Sequence, residues 1–163
     1  MGRPKSVSLD VNVIYDVALG KRFAAAFLRE VQFHGWICRV SPTAIQEMIF
    51  HHKRKTPPQF ALAEKALRNL QSWKIGPFDL VPVGHGITEQ FVHKLIRKRY
   101  LPEDEENDGY ILAETAMVDI PVLITSDSHL LDIPRKNLSD ELGAADLPDV
   151  QVFRPDQFLK ALG

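Results

Sequence analysis

Four acids in this sequence, Asp10, Glu47, Asp108 and Asp127, have the residue type and the spacing to do chemistry together. Carboxylates held a few ångströms apart repel, and near neutral pH the repulsion is relieved by a shared proton or by a bound cation. Four of them favour cations. Oxygen-only ligands suit Mg²⁺ or Mn²⁺, one or two ions, which polarise a phosphate and lower the pKa of a bound water enough to give an attacking hydroxide. Hydrolysis of a phosphodiester is the reaction this points to. Each acid also has a plainer reading. Asp10 can cap the helix opening at Val11, Glu47 can be a solvated helix glutamate, and Asp108 can be one of the acids that favour a helix N-terminus. Asp127, in Thr125-Ser126-Asp127-Ser128, can be a strand-exit turn residue or a cap. The joint pattern, not any single acid, carries the argument.

The elements that must position them follow from hydrophobic periodicity. Short apolar runs alternate with helical stretches, the pattern of an α/β chain built on a parallel sheet. Ser6 to Leu9 reads as a strand ending at Asp10, followed by helical segments whose apolar positions run from Val13 to Val31. Trp36 to Val40 is a second strand, and Ser41-Pro42-Thr43 opens the helix that carries Glu47. His51 to Lys55 and Pro57-Pro58 interrupt the helical pattern, which resumes from about Phe60 to Trp73. Leu80 to Val83 reads as a third strand, Thr88 to Arg99 as a basic helix, Asp104 to Val118 as a helix with an acidic first turn, and Pro121 to Thr125 as a fourth strand. A polar loop follows, then a last strand over Val150 to Phe153 and a closing helix over Pro155 to Leu162. In parallel sheets ligands bind at the carboxyl ends of strands, so Asp10 and Asp127 would share one edge. Glu47, about two turns into its helix, and Asp108, near the start of its own, can lean toward it.

Size and charge narrow the classes. The 163 residues at 45% hydrophobic content fit one domain over 1–163. Lys plus Arg number 20 against 21 Asp plus Glu, a formal net charge of −1, so attraction to nucleic acid must come from local patches. Two basic segments are candidates for RNA contact: His51-His52-Lys53-Arg54-Lys55, and His93 to Tyr100 with Lys94, Arg97, Lys98 and Arg99 and a terminal aromatic able to stack on a base. The alternative is that both are solvated helix ends favoured by the macrodipole. His51 and His52, adjacent on a helix, do not face one direction and make a poor metal pair. Cys38 alone cannot form an intramolecular disulfide, which suits a reducing interior. No apolar run reaches the roughly 20 residues of a membrane span, and Met1-Gly2-Arg3-Pro4-Lys5 leads into a strand without a signal-peptide core. A cytoplasmic protein without membrane contact is expected.

Several segments resemble the PIN-domain family, in order along the chain. Leu9-Asp10-Val11-Asn12-Val13-Ile14 looks like the family's opening element, and Ser41-Pro42-Thr43-Ala44-Ile45-Gln46-Glu47 like its strand–helix segment with an acidic residue. Asn107-Asp108-Gly109-Tyr110-Ile111-Leu112-Ala113 resembles its "nDalilA" helix, Val122-Leu123-Ile124-Thr125-Ser126-Asp127 its "LvTsD" strand end, and Val150 to Leu159 its last strand and helix. The resemblance implies a PIN-like three-layer α/β/α sandwich around a central parallel, twisted sheet of about four or five strands. It also implies a metal-dependent endoribonuclease with Asp10, Glu47, Asp108 and Asp127 as catalytic metal ligands, and Asn12, Thr125 and Ser126 as supporting polar groups. Asp104 and Glu105 depart from the pattern as surplus acids, and either is an alternative ligand to Asp108. Toxin-type members of the family imply a cognate antitoxin as partner, and PIN domains commonly form homodimers. Two other readings stay open. One is a catalytically silent PIN-fold module for RNA binding or protein interaction, against which the four retained acids argue. The other is a metal-dependent phosphatase, weakened because Asn12 stands where a haloacid-dehalogenase-type enzyme usually has its second Asp.

Overall fold

The first strand, β1 (Ser6–Leu9), has Val7, Ser8 and Leu9 all fully buried, so it has no solvent face. That is the signature of a central strand covered by helices on both sides. The computed structural model describes residues 5–163; the lead-in Met1–Pro4, on which the expectation of no signal peptide rests, lies outside the described residues. Helices α1 (Val11–Ala18) and α2 (Arg22–Phe33) follow, then β2 (Ile37–Val40), α3 (Pro42–Arg54), α4 (Gln59–Asn69), β3 (Ile75–Pro77) and α5 (Pro82–Arg97). A 3₁₀ turn over Glu103–Glu105 leads into α6 (Glu106–Met117), and β4 (Val122–Ile124), α7 (Ser128–Leu131), α8 (Arg135–Ala144), β5 (Gln151–Phe153) and α9 (Pro155–Leu162) complete the order.

All four strand pairings are parallel, in the spatial order β3-β2-β1-β4-β5. The chain therefore winds outward from β1 through β2 to β3, then returns to add β4 and β5 on the other side. Such an order leaves a crevice at the carboxyl ends of β1 and β4, where the connections diverge. Leu9 is in register with Ile124, and Ile124 with Phe153, so Asp10 and Thr125 leave adjacent strands side by side. The parallel sheet flanked by helices agrees with the α/β architecture expected from the sequence.

Three sequence expectations are corrected. The third strand is Ile75–Pro77, not Leu80 to Val83. Ile75 is buried opposite Cys38, whereas Val81 and Val83 are exposed, and Pro82 starts α5 where its missing N–H costs nothing. Second, α3 runs through His51 to Arg54 without interruption. Third, the polar stretch after Asp127 holds α7 and α8, because Leu138 and Leu142, one turn apart, give that charged segment a buried side. Among the described residues, no helix is long and apolar enough to cross a membrane.

Candidate metal centre

Asp10 is 2% exposed at the end of β1. Its Oδ1 accepts the Val11 N–H at 2.7 Å, and its Oδ2 accepts the Thr125 hydroxyl at 2.7 Å and the Asn12 amide at 3.2 Å. The capping role and the site position coincide: the carboxylate that opens α1 is the one that faces the crevice. Asn12 closes the network by donating to Thr125 Oγ1 at 3.3 Å and accepting the Ser126 N–H at 3.0 Å. Thr125 Oγ1 also accepts the Asp127 N–H at 3.0 Å. Asp127 caps α7 through the His129 N–H at 2.8 Å.

Three carboxylates lie closest together. Oxygens of Glu105, Asp108 and Asp127 are all within 4.8 Å of one another. Asp108 Oδ2 is buried with no hydrogen-bond donor, so an ionised Asp108 leaves a charged oxygen without a partner. Burial, followed by hydrogen bonding with Asp127 and Glu105 and by the charges of Asp10 and Asp127, pushes the Asp108 carboxyl far above its ordinary value. Burial pushes Asp127 up too, yet the proton on Asp108 and the His129 backbone and side chain hold it below its ordinary value. Without a cation the pair shares one proton, as like charges this close require.

Asp10 and Glu47 flank this trio. Burial, opposed by its three donors and helped by the Asp127 charge, brings Asp10 up to about 6. Burial, then the charges of Asp10 and Glu105, brings Glu47 up to about 7. Each of the five acids thus feels at least one of the others across the same crevice. Of the two alternatives to Asp108, Glu105 stands in the cluster beside it, while Asp104 is exposed on the 3₁₀ turn and outside it. The donor set is all oxygen and one buried oxygen lacks a partner, so the residues fit a hard divalent cation such as Mg²⁺ or Mn²⁺.

Glu47 also lines an open cleft of about 670 Å³, with Thr43, Phe50, His51, His85, Tyr110 and Glu114 among its walls. Glu114 went unnoticed in the sequence. It is 3% exposed on α6 and accepts the Thr43 N–H at 3.0 Å and the Thr43 hydroxyl at 2.7 Å, tying the start of α3 to α6. A glutamate between the apolar positions Ala113 and Ala116 was the available signal.

The basic candidates divide. Lys94 and Lys98 both pair with Glu141 of α8, at 3.1 and 2.5 Å, and so dock α8 on α5. Arg97 and Arg99 are exposed. Lys53 and Arg54 end α3 and Lys55 caps it, all exposed, with the Arg54 guanidinium over the Phe50 ring. His51 bonds Tyr15 and His52 stacks on Phe60, so the two histidines point to different partners.

No family model matches the sequence, and no curated protein matches it. Solved structures do. One is VapBC2 from Rickettsia felis bound to a DNA fragment from their promoter, with TM-score 0.63 and 14% identity over 90% of this chain and 98% of that one. FitAB bound to an IR36 DNA fragment gives 0.54 and 21% identity over 91% and 94%. FitAcB from Neisseria gonorrhoeae gives 0.53 and 21% over 91% and 97%. These likenesses show the fold, and it is the PIN-like fold that the ordered segments implied.

Proposed function

We propose that the chain is a metal-dependent endoribonuclease. The observation that supports this best is the carboxylate cluster at the β1–β4 crevice, where Asp108 carries a buried oxygen with no donor. In this reading Asp10, Glu47, Asp108 and Asp127 hold one or two Mg²⁺ or Mn²⁺ ions, with Glu105 as a further ligand. Thr125 and Asn12 fix the rotamer of Asp10, and Asn12 in turn holds the Ser126 backbone, so the ligand geometry is set before any ion arrives. What the ion supplies is neutralisation of phosphate charge and acidification of water. The protein's own residues keep Asp10 and the inner oxygen of Asp108 away from bulk water and leave the Glu47 side open through the cleft, from which a phosphodiester chain can approach.

The choice of RNA, the role of toxin, a cognate antitoxin partner, a homodimeric state and cytoplasmic residence come from the resemblance to toxin-type PIN ribonucleases. The VapBC2 and FitAB structures of like fold are consistent with that reading. A silent RNA-binding or protein-interaction module would have no use for five mutually repelling acids kept in one crevice, which favours the enzyme.

The test is Mn²⁺-dependent cleavage of structured and single-stranded RNA by wild type, Asp10→Asn and Asp127→Asn. Loss of cleavage in both variants is expected; equal cleavage by all three would overturn the assignment.

A further inference from the structure

One histidine in the cleft is held in a way that the carboxylate cluster does not explain. His51 lies one helical turn after Glu47 on α3, so the two share a face and both line the cleft. Its Nδ1 is 2.7 Å from the hydroxyl of Tyr15. Tyr15 is 9% exposed and belongs to α1, the helix that Asp10 caps, so the clamp joins the helix after β1 to the helix that carries Glu47.

The direction of this bond fixes the imidazole proton. A phenol is the stronger acid and an imidazole nitrogen the stronger base, so the favourable arrangement has the Tyr15 O–H donating to Nδ1. Among the described residues the Tyr15 hydroxyl has no second partner; if it accepted from Nδ1–H instead, its own proton would have no protein acceptor. With Nδ1 occupied, the ring proton sits on Nε2, on the other side of the ring. Burial lowers the basicity of His51, which favours the neutral ring with that one N–H. A neutral donor is of use in a cleft that also contains Glu47, Glu89 and Glu114, where it can meet an anion without adding to the acids' own ion pairs.

We propose that His51 is a substrate-contacting residue that offers its Nε2–H to a phosphate oxygen of an RNA strand lying in the cleft beside Glu47, and that Tyr15 is the positioning residue that sets its tautomer. This rests on the ribonuclease reading and adds to it a contact outside the acids.

The tautomer is read by two-dimensional ¹⁵N–¹H NMR of the histidine rings in wild type and Tyr15→Phe, and RNA binding by fluorescence anisotropy of a labelled RNA hairpin and a labelled single strand on metal-free protein. The expected results are an Nε2–H ring at His51 in wild type, a mixture of tautomers in Tyr15→Phe, and about tenfold weaker binding by His51→Ala, the size of one hydrogen bond to a charged group. His51→Gln, whose amide can donate from a similar position, should recover part of the loss, and His34→Ala, exposed at the end of α2 and outside the cleft, should bind like wild type. Thermal melts establish that the variants are folded. An Nδ1–H ring in wild type, wild-type binding by His51→Ala, or binding of neither RNA by wild type overturns the proposal. If Asp10→Asn loses cleavage while His51→Ala binds and cuts normally, only the histidine's role falls. If Asp10→Asn cuts like wild type, the ribonuclease reading falls and this contact with it.

Discussion

The hydroxyl of Thr125 lies 2.7 Å from Asp10 Oδ2, and through it the ends of β1 and β4 are joined at the crevice. The same oxygen accepts the Asp127 N–H, so one buried side chain links two of the acids. Thr125→Val keeps the shape and removes the hydroxyl. Asp10 then loses a donor and the Asp127 N–H loses an acceptor, and a loss of about 2 kcal/mol is expected at pH 8, where Asp10 is ionised. Urea unfolding measures it. Thr125→Ser should retain most of the stability, and a Val variant as stable as wild type would mean the network is not holding the acids.

The raised carboxyls make the metal-free protein more stable in mild acid. Asp10 titrates near 3.8 when unfolded and at about 6 when folded, and Glu47 moves from 4.5 to about 7. Between those values the folded state binds more protons at these two groups, so their contribution to stability falls as pH rises from about 4 to about 7, and Asp108, held far above its ordinary value, extends the fall to higher pH. For the fully buried Asp10 the shift corresponds to about 3 kcal/mol at most. Melting should therefore occur roughly 5 °C or more higher at pH 5 than at pH 8 in the presence of a chelator, and saturating Mn²⁺, which replaces protons on the acids, should remove the difference. A midpoint that climbs from pH 5 to pH 8 without metal would contradict the raised values.

Replacing one member of the proton-sharing pair should stabilise the protein and abolish its response to metal. Asp108→Asn makes the inner position neutral without a proton having to be taken up on folding, and places an amide donor next to Asp127. A rise of a few degrees in the metal-free melting temperature at pH 8 is expected. Wild type should gain about 2.7 kcal/mol from Mn²⁺ at a hundred times its dissociation constant, and the variant little. Calorimetric titration of both with Mn²⁺ is the check, and absence of heat in wild type would remove the metal from the site.

Much of this was legible from sequence because it is local. Ser6–Leu9 and Pro155–Leu162 fall where periodicity places them, and Asp10 and Asp127 sit at strand ends as the apolar runs before them require. What failed depended on partners distant in sequence. Ile75–Pro77 is a three-residue strand holding a Gly and a Pro, and only its pairing with β2 makes it one. Glu105 could not be told from Asp104 in a run of acids until the 3₁₀ turn placed one beside Asp108 and Asp127 and left the other in solvent. The Glu114–Thr43 bonds span 71 positions, a distance no local pattern carries.

Lysines that sequence grouped together should separate in function. Lys94 and Lys98 are held by Glu141, so their removal should cost stability more than RNA affinity. Lys53, Arg54 and Lys55 are exposed at the end of α3, and in their case the order should reverse. Anisotropy across a salt series is the measurement: replacing Lys53 and Lys55 by Ala should lower the slope of log affinity against log salt by about 1 for each phosphate that the removed cation had neutralised, whereas Lys98→Ala should leave the slope unchanged. The opposite pattern would place the RNA along α5.

Glu114 should govern the candidate metal site from a distance by holding the helix that carries Glu47. Ser41 caps α3 by accepting the Ala44 N–H, and Glu114 takes the Thr43 N–H and hydroxyl, so the first turn of α3 is satisfied jointly by its own cap and by α6. Glu114→Ala leaves the Thr43 N–H and hydroxyl with neither acceptor in a part-buried position, and a cost of about 2–3 kcal/mol in urea unfolding is expected. Glu114→Gln keeps one oxygen for the backbone N–H, and the Thr43 hydroxyl can turn to accept from the new amide, so its cost should stay under about 1 kcal/mol. Because α3 carries Glu47 on the same rigid helix, the Ala variant should also bind Mn²⁺ more weakly at a temperature where it is fully folded, while the Gln variant binds as wild type does. If Glu114→Ala loses stability but keeps wild-type Mn²⁺ affinity, then Glu47 is either positioned by the packing of α3 on α4 alone or is not a ligand, and Glu47→Gln under the same titration decides between the two.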